Sequence, residues 1–398
     1  MLRHWLLPAA LFTLAAAVSL VPAEGLVWQL TRTWPSAFMN LPQLFILLPA
    51  ALAGWAALQG WASRRARAPE SVSTRRPWRL IVTWLAPALW AAVLTPMLGV
   101  ARMAPLLRGT PRPVDLTLIL TSILLLVAWT LLGFLLGRVL PVALAVPVAA
   151  MVSFVGMAFP EATNAMAWRH VLALHSSCCL LDQEVSLSVL VGSLAFYLSL
   201  VGVLWWLVQR PSWPRAGLVV VVQTLVTGLC LWLVAPVTHP NGVHDRPTNQ
   251  LVCQGQKPQI CLWPEQERDR AVITDTARRI VEVLDEVGVT APQALSSATA
   301  AEWSYQGGAN PANDTVIRQS VVMGAVAVPM PACALREPWH GPASFQDLAT
   351  WVWLTAGFDR SDVTVSPGLA KIIAQPRGQQ ERWFATTMAA RVVCGTKP

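Results

Sequence analysis

Residues Arg64–Arg79 read RRARAPESVSTRRPWR, and this stretch decides how the rest of the chain must lie. Six arginines, Arg64, Arg65, Arg67, Arg75, Arg76 and Arg79, stand against one acid, Glu70, with long apolar runs on both sides. Carrying guanidinium groups across a bilayer is unfavourable, so short arginine-rich loops stay cytoplasmic and orient the helices around them. The expected fold is an α-helical polytopic membrane protein followed by a small mixed α/β extracytoplasmic domain.

Composition agrees. The chain is 55% hydrophobic and 13% charged, roughly half the charge of a soluble domain. Residues 1–237 hold 15 arginines and six acids, whereas residues 238–398 hold 14 basic and 15 acidic residues. The net charge of +8 therefore belongs to the apolar half and reports topology. A nucleic-acid partner would need a basic face on the polar half, so none is expected.

Outward from the arginine loop, seven apolar runs read as membrane spans: Trp5–Val21, Leu41–Ala62, Leu80–Val100, Leu116–Gly137, Val142–Phe159, Leu187–Val208 and Gly217–Val237. The first could be a signal peptide ending near Ala23; its length favours a retained span. Leu116–Gly137 carries no charged residue and is long enough to cross about 30 Å of hydrocarbon at roughly 1.5 Å per residue. Pro147 predicts a kink in the fifth run. Counting loops, ten arginines fall on the cytoplasmic side and five (Arg32, Arg102, Arg108, Arg112, Arg169) on the outer side of this half. The amino terminus is then inside and the carboxy terminus outside. No span has an ionisable group near its middle, which argues against a proton pump or ion channel. Its polar residues, among them Ser122, Ser193, Ser199, Thr224 and Thr227, read as helix-packing groups; Gln223 is the candidate for a polar path.

Two domains follow, 1–237 transmembrane and 238–398 extracytoplasmic. In the second, a helix is expected from Pro264 or Glu265, with Glu265, Glu267 and Asp269 at its positive end. Ile273, Ala277, Ile280, Leu284 and Val287 form one apolar face, and Gly288 ends the helix. Gln306–Asp314 reads as a loop, the β-branched run Val321–Val328 as a strand, and Phe345–Ala356 and Glu381–Val393 as helices.

Of seven cysteines, Cys230 lies in the last span and reads as an inert packing residue. Cys178, Cys179, Cys253, Cys261, Cys333 and Cys394 all fall outside, where disulfides persist. The spacing leaves their connectivity open; the pairing expected is Cys253 with Cys261 and Cys333 with Cys394. His170, His175, Cys178 and Cys179 are the one ligand-like cluster, with imidazole and thiolate suited to zinc or copper; a disulfide in that loop explains its cysteines equally well. No catalytic set stands out: His340, Ser344 and Asp347 lie near one another with no nucleophile elbow around them. No cofactor is expected, and no GxxxxGK[ST] phosphate loop occurs.

The multi-span half, Cys253-x7-Cys261 followed by Leu-Trp-Pro-Glu, and a cysteine near the carboxy terminus resemble actinobacterial integral membrane proteins described as ABC-transporter permease-like or transporter-associated. The scarcity of lysine, three residues against 26 arginines, fits a GC-rich source. The resemblance implies a membrane subunit of an ABC-type transport system working with a separate cytoplasmic ATPase, with the arginines of Arg64–Arg79 as its contact. Membrane lipid, other membrane subunits or a second copy are the further partners expected. Six-span exporter permeases keep both ends inside, and the seven spans read here depart from that. The alternative is a non-transporting receptor or envelope scaffold whose outer domain binds a ligand or protein.

Overall fold

A computed structural model describes residues 34–44, 47–65, 77–107, 111–162, 165–172, 179, 181–209, 213–298, 303–305, 314–327 and 341–390. The run Trp5–Val21, the loop 306–313, and Arg67, Arg75, Arg76, His175, Cys178, His340, Cys333 and Cys394 lie outside the described residues. The chain divides into two compact units, one of residues 1–179 and 183–245, the other of 180–182 and 246–398.

The first unit is helical: α1 (Trp34–Leu44), α2 (Leu48–Arg65), α3 (Pro77–Met103), α4 (Pro113–Val139), α5 (Val142–Ala162), α6 (Met166–Val171), α7 (Leu187–Gln209) and α8 (Trp213–Val234). Five of these, α3, α4, α5, α7 and α8, are long and apolar enough to cross a membrane. The helix expected over Leu41–Ala62 begins at Leu48, α1 having ended at Leu44. The last expected span stops at Val234 rather than Val237. Two short strands, β1 (Gln183–Val185) and β2 (Val243–Asp245), pair antiparallel with Val185 opposite Val243. That ladder places the boundary of the helical unit after Asp245 rather than at residue 237.

The centre of this unit is a contact between backbones. A Cβ added to Gly133 would lie 2.2 Å from the Ala53 carbonyl oxygen, one on Gly137 1.9 Å from that of Ala57, and one on Gly60 2.1 Å from that of Phe134. The successive pairs show that α2 and α4 run in the same direction. Gly133-x3-Gly137 is a small-xxx-small motif in an apolar helix, which lets backbones approach where no hydrophobic force draws helices together. Around it pack Leu52, Leu85, Leu125, Leu126, Leu131 and Phe134, all buried.

The second unit is α/β. A four-stranded sheet has the order β3 (Val252–Gln254), β4 (Gln259–Leu262), β5 (Ala294–Ser296), β6 (Trp303–Ser304), the first pair antiparallel and the others parallel. Ile260 opposite Leu295 and Leu295 opposite Trp303 put three core side chains on one face. Four helices follow the chain: α9 (Arg270–Glu286), α10 (Asp314–Val326), α11 (Gly341–Thr355) and α13 (Arg377–Ala390), with the short α12 (Pro367–Ile373) before the last. Ile273, Ala277, Ile280 and Leu284 are fully buried, as the apolar face of α9 requires. Its entry is a 3-10 turn, Pro264–Asp269, before the α-helix begins at Arg270. Gly288 follows it with φ +68°, the left-handed conformation that glycine adopts at least cost.

The described part of Val321–Val328, expected as a strand, is not one: Val321–Val326 form the second half of α10. Val321, Val322, Ala325 and Val326 recur at helical spacing and all are buried. Asp314 sits in the first turn, where a carboxylate suits the helix dipole. Gly324 lets the helix touch the sheet, since a Cβ there would lie 2.2 Å from the Ser304 carbonyl oxygen. Tertiary packing overrides β-branched propensity here.

Candidate functional site

At one end of the helical unit the carboxy-terminal ends of α2, α4 and α7 come together. The Arg64 guanidinium donates to the Val139 carbonyl at 3.2 Å and the Arg138 carbonyl at 3.5 Å. Arg138 in turn donates to the Val208 carbonyl. The last carbonyls of a helix have no partner within it, and arginine both satisfies them and complements the negative end of the dipole. Arg65 lies over Trp61 and Arg79 over Trp78, ring to guanidinium 4.1 and 5.4 Å, with both arginines exposed. Arg64, Arg65 and Arg138 thus share an end of the unit.

The opposite ends of α4 and α7 carry acid. Asp115, buried in the first turn of α4, accepts a hydrogen bond from the Arg112 backbone N–H at 2.8 Å. The Arg112 side chain reaches Asp115 at 3.5 Å and Glu184, just ahead of α7, at 2.8 Å. So α4 and α7 are parallel to each other as well. In α8, Gln223 donates to the Thr227 hydroxyl at 3.4 Å, and its amide oxygen is buried without a partner. It lies on the side of α8 that carries Val226 and Cys230, at helical spacings of three and seven. Ser122, Ser193, Ser199, Thr224 and Thr227 all donate to carbonyls of their own helices, the behaviour of packing groups. Cys230 is a free, buried thiol.

Of the ligand-like cluster, His170 is fully buried and its Nε2–H donates to the Val237 carbonyl at 3.1 Å. Burial holds its imidazole below its ordinary pKa; the Val237 hydrogen bond opposes this, and the neighbouring Arg169 and His239 reinforce it. Cys179 is disulfide-bonded, so it has no thiolate to offer a metal and leaves the candidate ligand set. Among the described residues no three His, Cys, Asp or Glu side chains converge on a metal position.

In the α/β unit Cys253 and Cys261 form a disulfide directly across β3 and β4. Beside it, Arg246 grips both oxygens of Glu265 at 3.1 Å and lies over the fully buried Trp263 at 4.5 Å. Arg270 donates to the Ile260 and Val252 carbonyls at 2.9 and 2.8 Å, tying α9 to two strands. Two of the cavities in this unit are walled by described residues. One of about 390 Å³ lies past the end of α9 with Lys257, Asp285 and Gly288 in its wall. The other, of about 300 Å³, lies among α10, α11 and the segment Asp362–Thr364. Sequence reasoning missed the second because its walls come from three separated stretches.

Residues 260–394 match a family model described as a domain of unknown function, DUF7224. No curated protein matches the chain, and no solved structure does.

Proposed function

We propose that the chain is the membrane subunit of an ABC-type transport system whose ATP-binding subunit is a separate cytoplasmic protein. The observation that carries the reading is the shared arginine end of α2, α4 and α7, where Arg64 and Arg138 tie the helix ends together and Arg65 stays exposed, as does Arg79 in the first turn of α3. By the arginine bias of short loops that end faces the cytoplasm. The five apolar helices, α2 and the run Trp5–Val21 then make seven spans, with the amino terminus inside and the α/β unit outside. The common direction of α2, α4 and α7 is what this alternation demands. Lacking a phosphate loop, the chain needs a partner for ATP chemistry, and the exposed arginines offer an acidic surface a place to dock.

A second reading, a receptor or scaffold that does not transport, draws on the α/β unit's own core and its cavities. Mild purification of the full chain separates the two. We expect an ATP-binding protein at equal stoichiometry, reduced about tenfold when Arg65 and Arg79 are replaced by alanine with the fold intact. Purification of the intact chain without an ATP-binding protein overturns the transport reading. A reporter fused after Pro398 should be active only outside.

A further inference from the structure

Most of α2 is buried in protein, with Ala57 and Gly60 set against the backbone of α4, but one narrow stripe of its last turns stays open. Leu58 is 41% exposed, Trp61 is half-buried and Arg65 is exposed. Spacings of three and four residues set them in line on one side of the helix. The arginines at this end divide their work. Arg64 and Arg138 spend donors on carbonyls at neighbouring helix ends. Arg65 instead lies over the Trp61 ring at 4.1 Å. A guanidinium stacked on a ring keeps its N–H donors at its own edge. Among the described residues, those of Arg65 meet no acceptor. Leucine, then tryptophan, then arginine is the order of a bilayer from hydrocarbon to headgroup, with the indole at the boundary.

We propose that this stripe binds one anionic phospholipid, its phosphodiester held by the Arg65 guanidinium and an acyl chain laid along Trp61 and Leu58. Guanidinium and phosphate meet through paired, charge-assisted hydrogen bonds. The ring beneath Arg65 fixes the depth at which that pair forms. A zwitterionic headgroup carries its own cation beside the phosphate, so a net negative lipid is favoured at this arginine-rich end. Phosphates line both faces of a bilayer, and the inference therefore holds whichever way the chain is oriented. It does not rest on the transport reading. A phosphate takes two N–H donors of a guanidinium, and the rest remain for a protein partner.

Native mass spectrometry of the full chain, stripped of lipid in a maltoside detergent and titrated with dioleoylphosphatidylglycerol, tests it. Dioleoylglycerol supplies like tails without phosphate, and glycerol 3-phosphate supplies phosphate without tails. The first phosphatidylglycerol should bind at least tenfold more tightly than dioleoylglycerol, as lost charge-assisted hydrogen bonds imply, and glycerol 3-phosphate should not displace it. Arg65→Gln should weaken the phospholipid about tenfold and Trp61→Leu severalfold, each with an unchanged thermal midpoint before lipid is added. Arg278→Gln removes the same charge from an exposed position of the α/β unit and should bind as the parent does. Equal binding of the two dioleoyl compounds, displacement by glycerol 3-phosphate, an Arg65→Gln variant that binds like the parent, or an equal loss in Arg278→Gln would each overturn the proposal.

Discussion

The two units build their interiors from opposite ends of the size scale. The helical unit closes on glycine and alanine, with Ala53 and Ala57 carbonyls set against Gly133 and Gly137, while tryptophans such as Trp90 and Trp232 stay on its surface. The α/β unit does the reverse, burying Trp263, Trp303, Trp351 and Trp353 completely or nearly so. The difference is one of solvent. In water, burying an aromatic ring is a main source of stability. Among lipid tails that force is absent, and close backbone packing takes its place.

The largest effect should come from filling the α2–α4 contact. In Gly137→Leu the new side chain meets a carbonyl rather than a yielding side chain, so the cost should exceed the roughly 3 kcal/mol of ordinary overpacking. Loss of the monodisperse peak in size-exclusion chromatography is expected. Gly202→Ala, with nothing within 4 Å, is the control and should behave as the parent. A stable Gly137→Leu protein would break the comparison.

Next comes the aromatic interior. Trp303 is fully buried and its indole N–H donates to the Val321 carbonyl at 3.0 Å. Trp303→Ala should cost the α/β unit about 3–5 kcal/mol, read as a lowered unfolding midpoint for that unit, with the helical unit's transition unmoved.

The smallest effect separates the units by acid. His170 has its pKa lowered by burial, against the Val237 hydrogen bond and with Arg169 and His239 acting in the same sense as burial. The unfolded chain therefore takes up the proton first. Stability of the helical unit should be constant above the ordinary value of 6.5 and fall as pH drops through it toward the folded value. His170→Gln, which can still donate to Val237, should flatten that dependence in scanning fluorimetry. Glu267 of the α/β unit is held below its ordinary 4.5 chiefly by its hydrogen bond from Arg270. Its contribution is present above 4.5 and lost below, so acid should reach the helical unit first. Coincident acid transitions would blunt the contrast.

Much of this was legible in the residues and some was not. Hydropathy found the long apolar helices, and the spacing of Ile273, Ala277, Ile280 and Leu284 found the face of α9. Residue type alone misread Val321–Val328, because valine's strand preference hides a spacing that only packing against Trp303 and Ser304 reveals. Gly133-x3-Gly137 stood in plain view, yet a reading tuned to hydropathy passes over glycine. The cavity was beyond reach, since its walls come from α10, α11 and Asp362–Thr364, stretches that meet only once the unit packs.

The α2–α4 contact also bears on the order of assembly. Its partners, such as Ala53 and Gly133, lie 80 residues apart, with all of α3 made between them. α2 is not among the helices apolar enough to qualify as a span by itself, and nine of its residues, including Gly54, Gly60 and Ser63, are buried in protein. A nascent chain released before Gly137 would hold α2 without the surface it is shaped for. Its seat against α4 is therefore completed late in synthesis, by a helix that the ribosome has yet to finish when α2 emerges.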